Sequence, residues 1–291
     1  MIFHKSSPRK GSCNFLPKVS FIIPTLNSGR TLEKCLESIF KQEYPNIEVI
    51  IIDGGSVDNT VKIAKKYNTK ILRVRGPLGV ARQVGVVNSS GELIANWDSD
   101  VYIPYRRWLK NAVQTLLQYP EASTLWILNK APPQSTLVQK AYHWYSWRMM
   151  LTFAKRGYGF WGGGISIYRK KMVDEVGGFD IKDDTGEDFT MARKLALKGY
   201  KVIFYDDYVY HDTFSSLSQL IRKDLRRSYN FKKSGIKRST GIPVSDIIKV
   251  STQIALMALG RFFTRRKLFL LFVPIIILIR LSIYAITWVL S

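Results

Sequence analysis

The sequence predicts an α/β fold with a mostly parallel sheet covered by helices on both faces, followed by C-terminal membrane-associated helices. Two observations predict the sheet. Short apolar runs alternate with helical patterns from residue 18 onward, and two of these runs are almost entirely apolar, as buried parallel strands are. A third observation predicts the membrane part, because residues 268–290 form a long apolar segment with few interruptions.

Each element of the predicted sheet follows from its own pattern. Short apolar runs predict strands, and apolar residues spaced by three or four predict helices. The predicted strands are 19–23, 47–52, 70–74, 92–97, 123–128, 164–168 and 201–205. The predicted helices are 32–40, one after residue 58, 81–87, 105–118, 142–153 and 187–198. Such alternation is typical of a sheet whose parallel strands are joined by helices.

The chain divides into three predicted regions. Residues 1–17 are basic and polar without the apolar run of a signal peptide, which predicts a flexible lead-in. Residues 18–240 are expected to form the globular domain and residues 241–291 the membrane region. The 291 residues are 46% hydrophobic, which excludes general disorder. The net charge of +22 predicts attraction to phosphates, nucleic acid or an anionic membrane, and two cysteines are too few for a disulfide scaffold.

The tail contains two apolar segments on either side of a basic triplet at 265–267. At about 1.5 Å per residue, residues 268–290 are long enough to cross a hydrocarbon core of about 30 Å. Arg280 is costly in lipid, so it faces a partner helix or headgroups, or the segment is two pieces broken at Pro274. The triplet favours the cytoplasmic side, with an interfacial helix at 246–263 before a single span. A first span and a pair of buried core helices are the alternatives.

Polar and acidic turns follow three of the predicted strands. Ligand sites in such sheets lie beyond the carboxyl ends of the strands, so these turns are candidate binding segments. Asp98 and Asp100 follow a buried strand, and both carboxylates can point toward one cation such as Mg²⁺ or Mn²⁺. Two acids at this spacing also occur in solvated turns and helix caps, so the pattern alone leaves both interpretations open. The other two turns are 24–27 and 53–56.

Five segments, taken in order, resemble the inverting family 2 glycosyltransferases of the GT-A fold, which is Rossmann-like. They are VSFIIPTLN at 19–27, IIDGGSVDNT at 51–60, GVARQVG at 79–85, GELI at 91–94 and WDSD at 97–100. Two later segments, GGFD at 177–180 and GEDF at 186–189, resemble the acceptor side of the same family. The resemblance covers about residues 18–238. It implies inverting, metal-assisted transfer of a sugar from a nucleotide-diphosphate sugar, with WDSD as the D-x-D motif.

The resemblance also implies a role for each matching donor-side residue. Asp53 would accept a hydrogen bond from the base edge, Arg82 would face the base or the pyrophosphate, and Asp98 would contact the ribose or the metal. Asp100 would hold the metal that bridges the two phosphates. Asp53 as a plain turn residue and Arg82 as a surface cation are the alternatives. The remaining donor nucleotide contacts implied in this way are Pro24, Thr25 and Asn27.

On the acceptor side the resemblance makes Asp188 the candidate catalytic base, with Glu187 as its neighbour. An ordinary acid in the first turn of a helix is the alternative, because negative charge is favoured there. If the acceptor is a lipid phosphate, Asp188 would orient it instead of removing a proton. His211 follows the last predicted strand, and in the wider GT-A fold a histidine there often completes the metal site. His143 is interpreted as a core residue.

Several observations bear on the substrates. Ser28 and Val101 stand where acidic residues are common in the family, which weakens a detailed donor assignment. The lack of a Q-x-x-R-W segment favours transfer of a single sugar. A UDP-sugar is the favoured donor, with a GDP-sugar as the alternative. The expected acceptor is a lipid-linked molecule or a glycan at the membrane, with the catalytic domain on the cytoplasmic face of that membrane.

The cations at 222–238 predict a juxtamembrane stripe and no nucleic-acid partner. A sugar-nucleotide nucleotidyltransferase and a non-enzymatic basic membrane or nucleic-acid binding protein are the alternative functions.

Overall fold

A computed structural model describes residues 2–4, 16–156, 164–182, 186–233 and 242–289. The strands are β1 Ile2–His4, β2 Val19–Thr25, β3 Ile47–Asp53, β4 Lys70–Arg73, β5 Leu93–Asn96, β6 Val101–Tyr102, β7 Ala122–Lys130, β8 Ser166–Arg169 and β9 Lys201–His211. The helices are α1 Leu32–Phe40, α2 Thr60–Ala64, α3 Leu78–Val87, α4 Trp108–Leu117, α5 Leu137–Lys155, α6 Lys170–Glu175, α7 Glu187–Leu197, α8 Leu217–Lys233, α9 Val244–Arg265 and α10 Phe272–Val289. All of the predicted strands and helices are present, while β1, β6, α6 and α8 are additional.

One compact unit, Met1–Leu128 with Phe160–His211, is built on a mixed sheet. The strand order in the described residues is β1-β9-β7-β8-β5-β2-β3-β4, with β6 paired to β9. Strands β5, β2, β3 and β4 pair in parallel with one another, whereas β8 is antiparallel to both β5 and β7. The predicted α/β class is confirmed. The first four predicted strands, which are β2, β3, β4 and β5, form a parallel half of the sheet.

Helices cover both faces of this sheet. Successive side chains of a strand point to opposite faces, so Phe21 and Ile23 of β2 belong to one apolar cluster and Ile22 to another. The first cluster includes buried residues of α1, α2 and α4, and the second includes residues of α3, α6 and α7. The continuous apolar runs of β2 and β3 are therefore explained by burial on both sides.

The N-terminal residues differ from the predicted lead-in. Ile2–His4 form β1, which pairs in parallel with β9 through the register Ile2↔Ile203. An edge strand offers a row of unpaired backbone groups, and β1 satisfies those of β9. This pairing is made by backbone groups, so it does not depend on an apolar sequence pattern. Residue 1 and residues 5–15 of the predicted lead-in lie outside the described residues. Two residues of the glycine run at 162–164 lie outside them as well.

The second compact unit consists of Asn129–Gly159 and Asp212–Ser291. Its helix α10 packs against α5, α8 and α9. This unit groups α5 and α8 with the tail, and the domain boundary at residue 240 stays a prediction. Pro274 lies in the first turn of α10, where a missing backbone N–H disrupts no helical hydrogen bond, and the helix is not broken there.

Two helices in the described part of the chain, Val244–Arg265 and Leu268–Ile286, are long and apolar enough to cross a membrane by length and composition. Only 22% and 28% of their most apolar windows are buried inside the protein. Large apolar side chains such as Leu256, Phe263 and Leu278 are exposed on them. Low burial distinguishes these helices from the core helices of a soluble domain, which was one alternative for the tail.

Candidate functional site

The candidate site lies at the carboxyl edge of the parallel strands. Strands β2 and β3 pair from Val19↔Ile47 to Thr25↔Asp53, so both end at the same level. Strand β5 pairs with the other side of β2 and ends at Asn96, opposite Ile22. The chain therefore leaves all three strands at one edge, which brings the segments after Thr25, Asp53 and Asn96 together as the sequence predicts.

Three predicted metal ligands lie together at this edge. One donor atom from each of Asp98, Asp100 and His211 lies within 4.8 Å of the others. His211 Nε2 is 3.1 Å from Asp100 Oδ1, and both side chains are half-buried. Two carboxylates and an imidazole are a donor set that Mn²⁺ accepts, and the carboxylates also suit Mg²⁺. The residues present therefore fit a divalent cation.

Two short structural features bring His211 to the carboxylates. Strand β9 continues to His211 instead of ending at the predicted residue 205. The two-residue strand β6 pairs antiparallel with its end, through Val101↔His211. Because Val101 directly follows Asp100, this register sets His211 beside that carboxylate. Strand β6 is too short to be recognised from the sequence, and it exists because β9 supplies its hydrogen-bonding partners.

Arg82 is buried beneath the site. Its side chain is 2% exposed and its guanidinium Nη2 is 2.5 Å from Asp98 Oδ1. Nη1 donates to the carbonyl oxygens of Ile22 at 3.2 Å and Trp97 at 2.7 Å. The surface-cation alternative differs from this placement, and a contact from Arg82 to a base or a pyrophosphate stays a prediction. The sequence does contain the relevant signal, because Gly79, Arg82 and Val86 share the helix face that packs on the sheet.

Glu187 and Asp188 begin helix α7. Gly186 precedes them with a φ of 89°, a left-handed conformation that glycine adopts without steric cost. Glu187 is buried, with Oε1 3.7 Å from Arg82 Nε. Burial and the adjacent Asp188 charge raise the pKa of Glu187 to about 8, against the lowering effect of Arg82. Glu187 is therefore mostly protonated at neutral pH in this arrangement.

Asp188 is more exposed than Glu187. Its Oδ1 accepts a hydrogen bond from the Phe189 backbone N–H at 2.8 Å. Its Oδ2 lies 3.7 Å from the position that a Cβ on Gly164 would occupy. Gly164 has a φ of +73°, so a side chain there would strain the backbone as well as contact the carboxylate. This proximity of Gly164 to Asp188 was not expected from the sequence.

The two donor-side turns hold each other in place. The Asp53 carboxylate accepts hydrogen bonds from the backbone N–H groups of Gly55 and Ser56, both at 3.0 Å, and Asp53 is 1% exposed. Asn27, with a φ of 51°, accepts from the Val57 N–H at 3.0 Å through Oδ1. Thr25 is buried and contacts Asp53 at 3.3 Å. Asp53 and Asn27 therefore shape the turns, and contacts from Pro24, Thr25, Asn27 or Asp53 to a donor stay predictions.

A serine pair links the first turn to the acidic pair. Ser99 Oγ donates to Ser28 Oγ at 2.9 Å, and the Ser28 backbone N–H donates to Thr60 Oγ1 at 2.7 Å. Ser28 was noted from the sequence only as a departure from the family pattern. A neutral hydrogen bond here holds the residue between Asp98 and Asp100 without adding a further negative charge.

His143 is buried in the helical unit, as expected of a core residue. Its Nδ1 is 3.1 Å from Asn129 Oδ1, and the residue is 4% exposed. Both residues belong to the second compact unit. The site residues discussed above all belong to the first.

In open α/β sheets, ligands bind beyond the carboxyl ends of the strands, and this edge holds the acidic turns and the cation-compatible cluster. The model of the family "Glycosyl transferase family 2" matches residues 20–177, more than half of the chain. The model of "Glycosyl transferase family group 2" matches residues 125–291. The chain belongs to glycosyl transferase family 2. This membership excludes the non-enzymatic binding protein and the nucleotidyltransferase as its class.

Known proteins agree with this class. The dolichyl N-acetyl-α-D-glucosaminyl phosphate 3-β-D-2,3-diacetamido-2,3-dideoxy-β-D-glucuronosyltransferase of Methanococcus voltae is 28% identical over 227 residues, covering 71% of this chain and 70% of that protein. The mannosyltransferase PcManGT from Pyrobaculum calidifontis, in complex with GDP-Man and Mn²⁺, has a TM-score of 0.62 and 18% identity, with coverage of 96% and 91%. S. aureus TarS 1-349 in complex with UDP-GlcNAc has a TM-score of 0.52 and 21% identity, with coverage of 85% and 73%. The two structures confirm the predicted GT-A fold.

Proposed function

We propose that this enzyme transfers a single sugar, with inversion and with help from Mn²⁺ or Mg²⁺, from a nucleotide-diphosphate sugar to a lipid-linked or glycan acceptor at a membrane. The observation on which the proposal rests is the cluster of Asp98, Asp100 and His211 at the carboxyl edge of the sheet. Arg82 connects this cluster to the start of α7, where the candidate base is located.

The donor would bind across the two interlocked turns. Pro24, Thr25, Asn27 and Asp53 would contact or shape the nucleotide pocket. Asp98, Asp100 and His211 would hold the cation, which when bound stabilises the negative charge that develops on the departing diphosphate. A UDP-sugar remains the preferred donor and a GDP-sugar the alternative, and the two solved structures that resemble this chain were determined with one of each.

The acceptor would approach the sugar from the side opposite the diphosphate, which inverts the anomeric configuration. Asp188 would accept the proton of an acceptor hydroxyl, because it is only partly buried at the start of α7, close to the Gly164 turn. Glu187 is buried and mostly protonated, so it is a poor proton acceptor at neutral pH. The geometry therefore separates the two neighbouring acids into one candidate base and one buried partner of Arg82.

A lipid-linked acceptor is supported by the helical unit. Helices α9 and α10 expose apolar side chains suited to a bilayer. Helix α8 exposes Arg222 and Arg226, which would contact anionic headgroups on the cytoplasmic side. The name of the Methanococcus voltae relative describes a dolichyl phosphate-linked sugar as its acceptor. Membrane attachment would also concentrate a lipid substrate near the site.

The test is a transfer assay with the full-length chain in nanodiscs, using UDP- and GDP-sugars with Mn²⁺, Mg²⁺ or EDTA and a panel of polyprenyl-linked and free glycan acceptors. We expect product only with a divalent cation, with the anomeric configuration inverted in its NMR spectrum. Asp100→Asn should abolish transfer, whereas Arg106→Met, a loss of an exposed cation in the same unit, should not. Full activity of Asp100→Asn, or a retained configuration, would contradict the proposal.

A further inference from the structure

Arg82 is a buried cation that contacts both sides of the site. It is among the largest fully buried side chains of the described residues. A buried guanidinium is costly unless each of its donors is satisfied. The hydrogen-bond acceptors of Arg82 come from two separate segments, β2 and residues 97–98, so its position depends on both.

One end of the guanidinium fixes the donor side. Nη1 bonds to the carbonyls of Ile22 in β2 and Trp97 directly after β5, at 3.2 and 2.7 Å. Nη2 bonds to Asp98 Oδ1 at 2.5 Å. The carboxylate of Asp98 is thus anchored to the backbone of two parallel strands through a single side chain. Asp98 is itself 37% exposed, so without Arg82 its carboxylate would be free to rotate into solvent.

The other end points at the acceptor side without completing a hydrogen bond. Nε is a buried nitrogen with no hydrogen-bond partner among the described residues. The nearest carboxylate oxygen is Glu187 Oε1, at 3.7 Å, and the side chains of Arg82 and Glu187 are 2% and 6% exposed. A displacement of less than 1 Å would close this gap into a hydrogen bond of ordinary length, about 2.9 Å.

We infer that Arg82 is a positioning residue that couples Asp98 to the start of α7, so that the placement of the metal carboxylate and of the Asp188 base are set together. This inference rests on the proposed function. In this positioning role Arg82 does not contact the donor. The role therefore differs from the direct contact with the base or the pyrophosphate that the family resemblance implies. The carboxylates of ligand sets are commonly held by such outer partners.

Binding measurements on the purified full-length chain distinguish the two roles. The probes are Mn²⁺ alone, followed by electron paramagnetic resonance, and UDP or GDP alone in EDTA. We expect Arg82→Met to raise the Kd for Mn²⁺ by about 10- to 100-fold and to leave the metal-free nucleotide Kd within about twofold. Arg82→Lys should recover part of the loss, because an ammonium keeps the charge but cannot reproduce the planar set of hydrogen bonds to Ile22, Trp97 and Asp98.

Coupling to α7 is measured by kcat. Glu187→Ala, which removes the buried carboxyl beside Arg82, should lower kcat while leaving the Kd for Mn²⁺ unchanged, and Arg82→Lys combined with Glu187→Ala should be about as active as the poorer single variant. Independent, multiplicative losses would overturn the coupling. A fall in metal-free nucleotide affinity with normal Mn²⁺ binding would make Arg82 a donor ligand and overturn the inference.

Two controls keep the outcomes separate. Arg106→Met tests loss of an exposed cation from the same unit and should change neither Kd. Asp100→Asn tests the metal site itself. If Asp100→Asn leaves Mn²⁺ affinity unchanged, the proposed function and the inference both fail. Arg82→Lys retains the charge and replaces Arg82→Met if that variant does not fold. If Asp100→Asn weakens Mn²⁺ binding while Arg82→Lys binds Mn²⁺ normally, the inference alone fails.

Discussion

Arg280 Nε of α10 lies 2.9 Å from Asp224 Oδ2 of α8, and Asp224 is 1% exposed. The guanidinium is also surrounded by the rings of Tyr142, Tyr145 and Tyr284, at 5.3, 5.6 and 5.9 Å. Of the alternatives open for Arg280 from the sequence, the structure shows the partner helix. The lone acid in the basic stretch of α8 is the partner of the lone cation in the apolar stretch of α10.

Removal of one member of this pair is expected to destabilise the helical unit. Asp224→Leu or Arg280→Met leaves a buried charge without its partner, which costs about 3–5 kcal/mol. The double variant leaves no unpaired charge and should recover most of that loss. Thermal unfolding of the detergent-solubilised chain measures the effect, with Arg222→Met as an exposed control on the same helix. Additive losses in the double variant would show that the two side chains do not interact.

The elements on which the fold depends could be predicted, because each has a local signal. Strands β2 and β3 are apolar runs, and their turns contain the polar residues of the site. Strand β6 and the Arg280–Asp224 pair have no such signal, since each depends on a partner distant in sequence. The position of His211 beside Asp100 could be predicted only by resemblance, because it follows from the β6 and β9 register.

Arg82 shows a different limit of sequence analysis. The residue was recognised as part of a family motif, but its direction was expected to be toward a ligand. Gly85 lets α3 pack closely on β2, because a Cβ there would clash with the side chain of Ile22. A charge on a helix face is ordinarily solvated, so only the three-dimensional set of acceptors explains its burial.

His211→Ala is expected to weaken the metal site without removing it. Two carboxylates remain, so Mn²⁺ should bind roughly 10-fold more weakly, and the loss should be smaller with Mg²⁺, which prefers oxygen ligands to imidazole. Metal titrations of transfer activity for the two ions give the comparison. His143→Ala is the matched control, because that histidine lies in the other unit. Equal Mn²⁺ affinity in His211→Ala and the parent protein would exclude His211 as a ligand.

Asp188→Asn is expected to separate chemistry from donor binding. An amide keeps the size of the side chain but cannot accept the proton, so kcat for a hydroxyl acceptor should fall by about 10²–10⁴-fold while the donor Kd stays unchanged. Steady-state kinetics and nucleotide-sugar binding are measured on the same preparation. An equal loss of donor affinity would assign Asp188 to the donor side. An acceptor phosphate that is already ionised would instead retain most of the activity.

Glu187 is expected to make the stability of the sheet unit depend on pH. Burial and Asp188 raise its folded-state pKa to about 8 from an ordinary value of 4.5. Between these values the folded protein holds a proton that the unfolded chain has released. The free energy of unfolding therefore falls as pH rises across this window, by up to about 1.4 kcal/mol per pH unit, and the contribution is lost above the folded pKa.

Glu187→Gln removes this titration and should flatten the pH dependence, so this variant should be more stable than the parent protein near pH 8. The charged groups facing Glu187 are Asp188 on its own helix, Arg82 on α3 and Asp98 after β5. Asp188→Asn removes a negative neighbour, so it should lower the folded-state pKa of Glu187 and move the upper end of the window to lower pH. Arg82→Lys keeps the opposing positive charge. Denaturant unfolding from pH 5 to pH 8 gives the slopes. Parallel curves for the parent protein and Glu187→Gln would mean that Glu187 titrates alike in the folded and unfolded chain. The conclusion that Glu187 is buried as a protonated acid beside Arg82 would then be wrong.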